Sequence, residues 1–152
     1  MMMGLLLVFL GSFFEGEISL VAIVWFRETL QLNWASIAGL AWLGTFLYDA
    51  FAFECGRRHG KSLRERWPAL EKRAGKIFGW MERYPSFFVF VLRFQIGLRT
   101  LANGIIGQSG MSRARFLGIN ALAVTLWVPF VLLLAEIFRI IAGAILQAAM
   151  AG

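Results

Sequence analysis

Formal charges interrupt apolar sequence at two comparable places in this chain. Glu15 and Glu17 sit where two apolar arms meet, and Arg93 and Arg99 occupy the matching place in a second interrupted stretch. A charged side chain at bilayer depth costs about 2.5–3.5 kcal/mol on insertion scales, so such groups rarely stand unpaired. Two guanidiniums at a Gly-containing tip offer forked donors that keep their charge, which is what a phosphate group requires. The carboxylates supply the complementary chemistry. Glu15, Glu17 and Asp49 can exchange protons when desolvated or crowded by another acid, which makes an ion-coupled cycle available with H⁺ or Na⁺ and no other cofactor. The plainer alternative is that acids and arginines neutralise one another and clamp the two interrupted stretches. Asp49 is equally compatible with a satisfied hydrogen bond or with serving as counter-ion to Arg93 or Arg99.

Those charges need elements to hold them. The apolar run from Met1 to Phe14 breaks at Glu15 and Glu17 and resumes from Ile18 to Phe26. Each half falls short of the roughly 20 apolar residues of a crossing helix, so residues 1–32 read as a re-entrant hairpin or broken helix. Residues 33–56 form a transmembrane helix whose formal charges are Asp49 and Glu54, with Ala35, Gly39 and Gly44 as small surfaces for a neighbouring helix. Residues 57–84 then carry Arg57, Arg58, Lys61, Arg64, Arg66, Lys72, Arg73, Lys76 and Arg83 against Glu65, Glu71 and Glu82, which is the whole net charge of +6. Within this segment Leu63, Trp67, Leu70, Ala74, Ile77, Met81 and Tyr84 recur in steps of four and three. That stripe predicts an amphipathic helix on the membrane surface, and the positive-inside rule makes it cytoplasmic.

The second half repeats the first. Residues 85–112 form another interrupted hairpin, residues 113–139 a second transmembrane helix expected to kink at Pro129, and residues 140–152 an apolar tail that extends the helix or lies in the interface. The expected fold is an all-α integral membrane protein built as two inverted repeats. Each repeat is a re-entrant hairpin plus a transmembrane helix, and a cytoplasmic amphipathic helix joins them. Such repeats place a substrate site near the midplane, where interrupted helices expose backbone groups and dipole ends.

Composition narrows the function classes. With 59% hydrophobic residues in 152, the chain lies above the roughly 45–50% of ordinary soluble domains. The apolar start has neither a basic flank nor a small-residue cleavage site, so it is expected to be retained. One cysteine, Cys55, and one histidine, His59, cannot build an internal disulfide or a Cys/His metal site. The clustered positive charge reads as a topology signal, not as a nucleic-acid surface. Arg57 and Arg58, in the run Gly56-Arg57-Arg58-His59-Gly60, are accessory candidates for touching lipid phosphates at the cytoplasmic face.

With these residues in view, the chain resembles the DedA family, also called SNARE-associated or VTT-domain membrane proteins. Phe13-Phe14-Glu15-Gly16-Glu17 is similar to the Phe-Glu-Gly-Glu form of the family's first signature. Gly44 through Asp49 to Gly56-Arg57-Arg58-His59-Gly60 resembles its Gly-Asp, Gly-Arg helix, and Arg93-Phe94 with Gly97-Leu98-Arg99-Thr100 its Arg-Phe, Arg-Thr hairpin. Gly107 to Gly110, Phe116, Asn120 and Trp127 also fall in family-like places. The resemblance implies two facing re-entrant hairpins in a cell inner membrane. It further implies movement of a polyprenyl phosphate or a phospholipid such as phosphatidylethanolamine, driven by proton-motive force. By the same resemblance Glu17, Asp49, Arg93 and Arg99 inherit the essential acidic and basic roles; Glu54, an intramembrane acid, and the amides Asn103 and Asn120 are accessory candidates beside them. The chain departs from the family pattern at Tyr48, where a glycine usually precedes the aspartate, at Glu54, near an expected tyrosine, and at Asn103, where proline is common. A homodimer is compatible with the sequence.

Two other classes compete with a lipid transporter. A membrane-embedded polyprenyl (pyro)phosphate phosphatase would also oppose glutamates and arginines on two hairpins, but it needs a nucleophile or a metal-holding acid cluster. Ser109 and Ser112 stand in no evident nucleophile motif. A membrane scaffold would not require four charges at two hairpin tips. The expectation is therefore a transporter and not an enzyme.

Overall fold

A computed structural model describes residues 2–14, 17–66, 76, 79–91, 93 and 99–151. Among them every regular element is helical: α1 (Met2–Phe14), α2 (Glu17–Trp25), α3 (Trp34–Arg66), α4 (Pro85–Val91), α5 (Arg99–Gly107) and α6 (Arg113–Ala151). Two helices, within Trp34–Gly60 and Arg113–Met150, are long and apolar enough to cross a membrane. Their exposed surfaces are what lipid, not water, would solvate: Phe51 on α3 and Leu122, Leu133, Ile141 and Ile145 on α6 all stand exposed.

Local chemistry sets where the long helices begin. Asn33 caps α3, its Oδ1 accepting the backbone N–H of Ser36 at 2.7 Å. Ser112 does the same for α6 through Arg115, at 3.3 Å. Pro85 opens α4, where a missing N–H costs nothing because the first helical N–H has no intrahelical partner. Gly110, at φ 75°, turns the chain between α5 and α6.

Two helices run further than hydropathy suggests. The transmembrane segment was expected to end at residue 56, but α3 continues without a break to Arg66. Its basic residues are good helix formers, so the apolar pattern stops where the helix does not. The tail from residue 140 likewise extends α6 as far as Ala151, with Pro129 inside the helix. The expected surface stripe lies largely beyond description, since residues 67–75, 77 and 78 are outside the described residues. At its end, Met81 is not on a surface but 3% exposed in an apolar core, whereas Tyr84 is exposed.

The chain divides into two compact units. In the first, formed by residues 1–45 with 125–152, the short helices α1 and α2 pack together. A side chain at Gly11 would fall 2.7 Å from Cβ of Ser19, so only glycine allows this approach. At about 1.5 Å per residue, these helices of 13 and 9 residues rise about 20 and 14 Å, short of the roughly 30 Å hydrocarbon core. Val8, Leu20, Val24, Ile37 and Ala41 are buried here, and Trp42 Nε1 donates to Thr125 Oγ1 at 3.0 Å.

The second unit comprises residues 46–124. Phe53, Met81, Val89, Ala102, Ile106, Met111 and Phe116 form its apolar core, with the rings of Phe53 and Phe116 stacked 4.1 Å apart. Helices α3 and α5 meet backbone to backbone. A side chain at Gly56 would collide with the carbonyl of Gly104, and one at Gly107 with the carbonyl of Phe53. Small residues allow two helices to come this close.

Candidate anion site around Arg93

The close approach of α3 and α5 determines what faces what. Asp49, Ala52, Phe53 and Gly56 recur at helical spacing on one face of α3, and all four are buried. On α5, Asn103, Ile106 and Gly107 share a face in the same way, and on α6 so do Phe116 and Asn120. Asn103 stands beside Gly104, at the point of closest approach. Four polar side chains from four segments thereby converge inside the second unit.

At the centre is Arg93, 2% exposed. Its Nη1 donates to Asp49 Oδ2 at 2.5 Å and to Asn120 Oδ1 at 2.9 Å. Asp49 is fully buried, and its other oxygen, Oδ1, accepts from Asn103 Nδ2 at 2.9 Å. The amide orientations follow from the partners. Arginine has no acceptor and a carboxylate no donor, so Asn120 must turn its oxygen to Arg93 and Asn103 its nitrogen to Asp49. Charge-assisted bonds of this length are the strong class, and removing one member of a buried ion pair typically costs about 3–5 kcal/mol. The arrangement holds a carboxylate between a guanidinium and an amide, which is also a way to hold any small oxyanion.

A second, more open cluster lies further along the same helix. Glu54 accepts a forked pair from Arg113, Nε to Oε2 at 2.9 Å and Nη2 to Oε1 at 2.7 Å. Arg58 adds Nε to Oε1 at 2.8 Å. Arg57 Nη1 donates to the carbonyl of Met111 at 3.2 Å. The arginine side chains here are 60% and 68% exposed for Arg113 and Arg58. The cluster ties the start of α6 to α3, and it gives Glu54 a structural role that sequence reasoning did not assign.

Of the residues singled out from sequence, the structure brings Asp49, Arg93, Asn103 and Asn120 together, and separately Glu54, Arg57 and Arg58. Glu15 lies outside the described residues. Glu17 and Arg99 are the first residues of α2 and α5, but their side chains lie outside the description as well. Sequence reading missed Arg113. A cation at a helix N-terminus opposes the helix dipole, and that mismatch was the available signal that it needs a carboxylate partner. Among the described residues, no His, Cys, Asp and Glu group together as metal ligands would.

Comparison with known proteins places this geometry in context. The profile of the VTT domain matches residues 2–137, a stretch that contains all four members of the buried site. The inner membrane protein YohD of Escherichia coli (strain K12) is 29% identical over 119 residues, covering 78% of this chain and 62% of the relative. The chain thus spans a little over six-tenths of the length of the curated relative it matches. No solved structure matches.

Proposed function

The chain belongs to the VTT-domain family, and from that premise we propose that it moves a phosphate-bearing lipid between the leaflets of the inner membrane. Undecaprenyl phosphate and phosphatidylethanolamine represent the class of cargo. The observation that carries this reading is the burial of Arg93 against a carboxylate and an amide, in a chain whose long helices are solvated by lipid. A guanidinium is the side chain best shaped to take phosphate oxygens in a fork. In this reading the lipid phosphate exchanges with Asp49 on Arg93. The released carboxylate would be left without its counter-ion inside the membrane, which is costly unless a coupling ion accompanies the exchange. Phosphate arrival and coupling-ion movement are thereby linked, which is the route by which proton-motive force drives the cycle.

Glu15, Glu17 and Arg99 contribute to the same cycle from the two interrupted stretches, which we read as facing re-entrant hairpins in inverted repeats. Residues 57–84 lie on the cytoplasmic side. No cofactor beyond the coupling ion takes part, and the protein acts as a transporter and not as an enzyme. The hydroxyl of Ser109 donates to the carbonyl of Ile106 at 2.7 Å, so it lends no support to a serine nucleophile.

Leaflet exchange of labelled lipids in vesicles containing purified protein tests the proposal, with and without an imposed pH gradient. Wild type is expected to exchange phosphate lipids faster when the gradient is applied. Arg93→Lys keeps the charge but offers a compact ammonium in place of the fork, and is expected to lose most of the exchange at normal abundance. Protein-free rates with every phosphate lipid would end the transport reading.

A further inference from the structure

Glu54 binds two arginines at once, and their charges do not balance. Arg58 reaches it from one turn further along α3, and Arg113 from the start of α6. A single carboxylate between two guanidiniums leaves one positive charge uncompensated. The unspent donors are the outer ones. Arg58 engages Glu54 through Nε, and Arg113 through Nε and Nη2, so both Nη nitrogens of Arg58 and Nη1 of Arg113 make no hydrogen bond among the described residues. Both side chains are mostly exposed.

What lies beside these arginines decides which anion suits them. The apolar span of α3 ends at Gly60 and that of α6 begins at Arg113, so the pair stands at a membrane boundary. Leu47, Phe51, Glu54 and Arg58 follow one another at steps of four, three and four, and therefore share a face of α3. Arg113 and Leu117 share a face of α6 in the same way. Leu47, Phe51 and Leu117 are all exposed, and each lies on the span side of the charges. Cations at the boundary with apolar side chains running inward from them complement a lipid, whose charged head group sits above its acyl chains. A free anion would use the arginines and leave the apolar stripe without a purpose.

We propose that Arg58 and Arg113 hold the head group of one anionic diacyl lipid, with its acyl chains along Leu47, Phe51 and Leu117, as a resident ligand of the boundary and not as cargo. The guanidiniums supply forked donors to the lipid phosphate. Selectivity follows from the charge imbalance: a head group of net charge −1 offsets the excess cation, whereas a zwitterionic one brings its own cation. Glu54 has a double part, since it orients both guanidiniums and competes for them. The site shares no residue with the one around Arg93, and it stands whether or not lipid is moved there.

The competing explanation is that the cluster only ties α6 to α3, and Arg115 helps to separate the two. It is exposed at the same end of α6 and carries the same charge, but two residues on from Arg113 it lies roughly 200° around the helix. Binding of short-chain phosphatidylglycerol and short-chain phosphatidylcholine is measured on the purified full chain in an uncharged detergent at low salt, with unfolding temperature followed in parallel. Wild type is expected to prefer phosphatidylglycerol by at least about fivefold, the usual worth of one basic residue at an anionic membrane surface. Arg58→Gln and Arg113→Gln should each lose about fivefold on phosphatidylglycerol, while Arg115→Gln keeps wild-type affinity. Glu54→Gln removes the competing carboxylate and should bind phosphatidylglycerol more tightly, a gain that a mere tie between helices does not predict. Where Arg113→Gln fails to fold, Arg58→Gln and Glu54→Gln decide the matter. Equal losses at Arg113 and Arg115 would reduce the site to a general basic surface and overturn it, as would unchanged or weaker binding in Glu54→Gln or no preference in wild type. Displacement of phosphatidylglycerol by inorganic phosphate at similar concentration would overturn the lipid as the occupant.

Discussion

Asp49 and Glu54 sit five residues apart on one helix, and each holds an arginine, yet they differ in almost every physical respect. Asp49 is fully buried against an arginine that is itself 2% exposed, and both of its oxygens are engaged. The Glu54 side chain is 26% exposed, and its arginine partners stand mostly in the open. An exposed ion pair gains little, because solvent and salt screen it and two long side chains must be ordered to make it. A buried pair gains little on formation too, since desolvation offsets the attraction, but it is costly to break. The comparison teaches that a count of salt bridges conveys little here. What matters is which charge would be stranded if its partner left.

The sharpest break of that contrast is Asp49→Ala, which leaves Arg93 without its carboxylate. A loss of about 3–5 kcal/mol is expected, read as poor accumulation and a lowered unfolding temperature in detergent. The double variant Asp49→Ala with Arg93→Met should recover much of it, because no buried charge remains. A double variant as unstable as the single one would mean that the lost stability is not that of a stranded cation.

Next in size is Gly56→Ala, two residues beyond Glu54 on the buried face that Asp49 shares. The added methyl group meets the backbone of Gly104, where no flexible side chain can give way, so α5 must move off α3. Overpacking of this kind typically costs about 1–3 kcal/mol. It should disturb the Asn103 contact with Asp49 while leaving the Glu54 fork to Arg113 intact. Phosphate binding and unfolding temperature together check this, and a fully wild-type variant would mean the helices are less tightly apposed than described.

Glu54→Gln is expected to have the smallest effect. Its unfolding temperature should fall only slightly below wild type in low salt, with the difference vanishing as ionic strength rises. A large loss that salt does not diminish would make the open cluster behave like the buried one.

Much of the frame was legible in the residues. Apolar runs of spanning length announced both long helices, and the cost of an intramembrane charge announced that Asp49 and Arg93 required partners. Less visible was where α3 ends, because Arg57, Arg58 and Lys61 stop the apolar pattern while favouring the helix itself. The amide contacts were the hardest to foresee. Asn103 and Asn120 carry no charge and interrupt no hydrophobic period strongly, and only the adjacent Gly104 and Gly107 hinted that something approaches α5 closely. The 59-residue separation of Glu54 and Arg113 likewise leaves no trace in local sequence.

The glycine contact between α3 and α5 also sets how the sequence can drift. Every single-nucleotide change away from a glycine codon that keeps the chain intact adds at least a methyl group, and at Gly56 and Gly107 that group has nowhere to go. Gly39, Gly118 and Gly143 face nothing within 4 Å, so the same codon changes there meet open space. A library of random variants should therefore sort the glycines of one chain into two populations. Positions 56 and 107 stay monomorphic among survivors, whereas 39, 118 and 143 accumulate alanine and serine, and the inheritable variation of the protein is bounded at the crossing and free at the open glycines of α3 and α6.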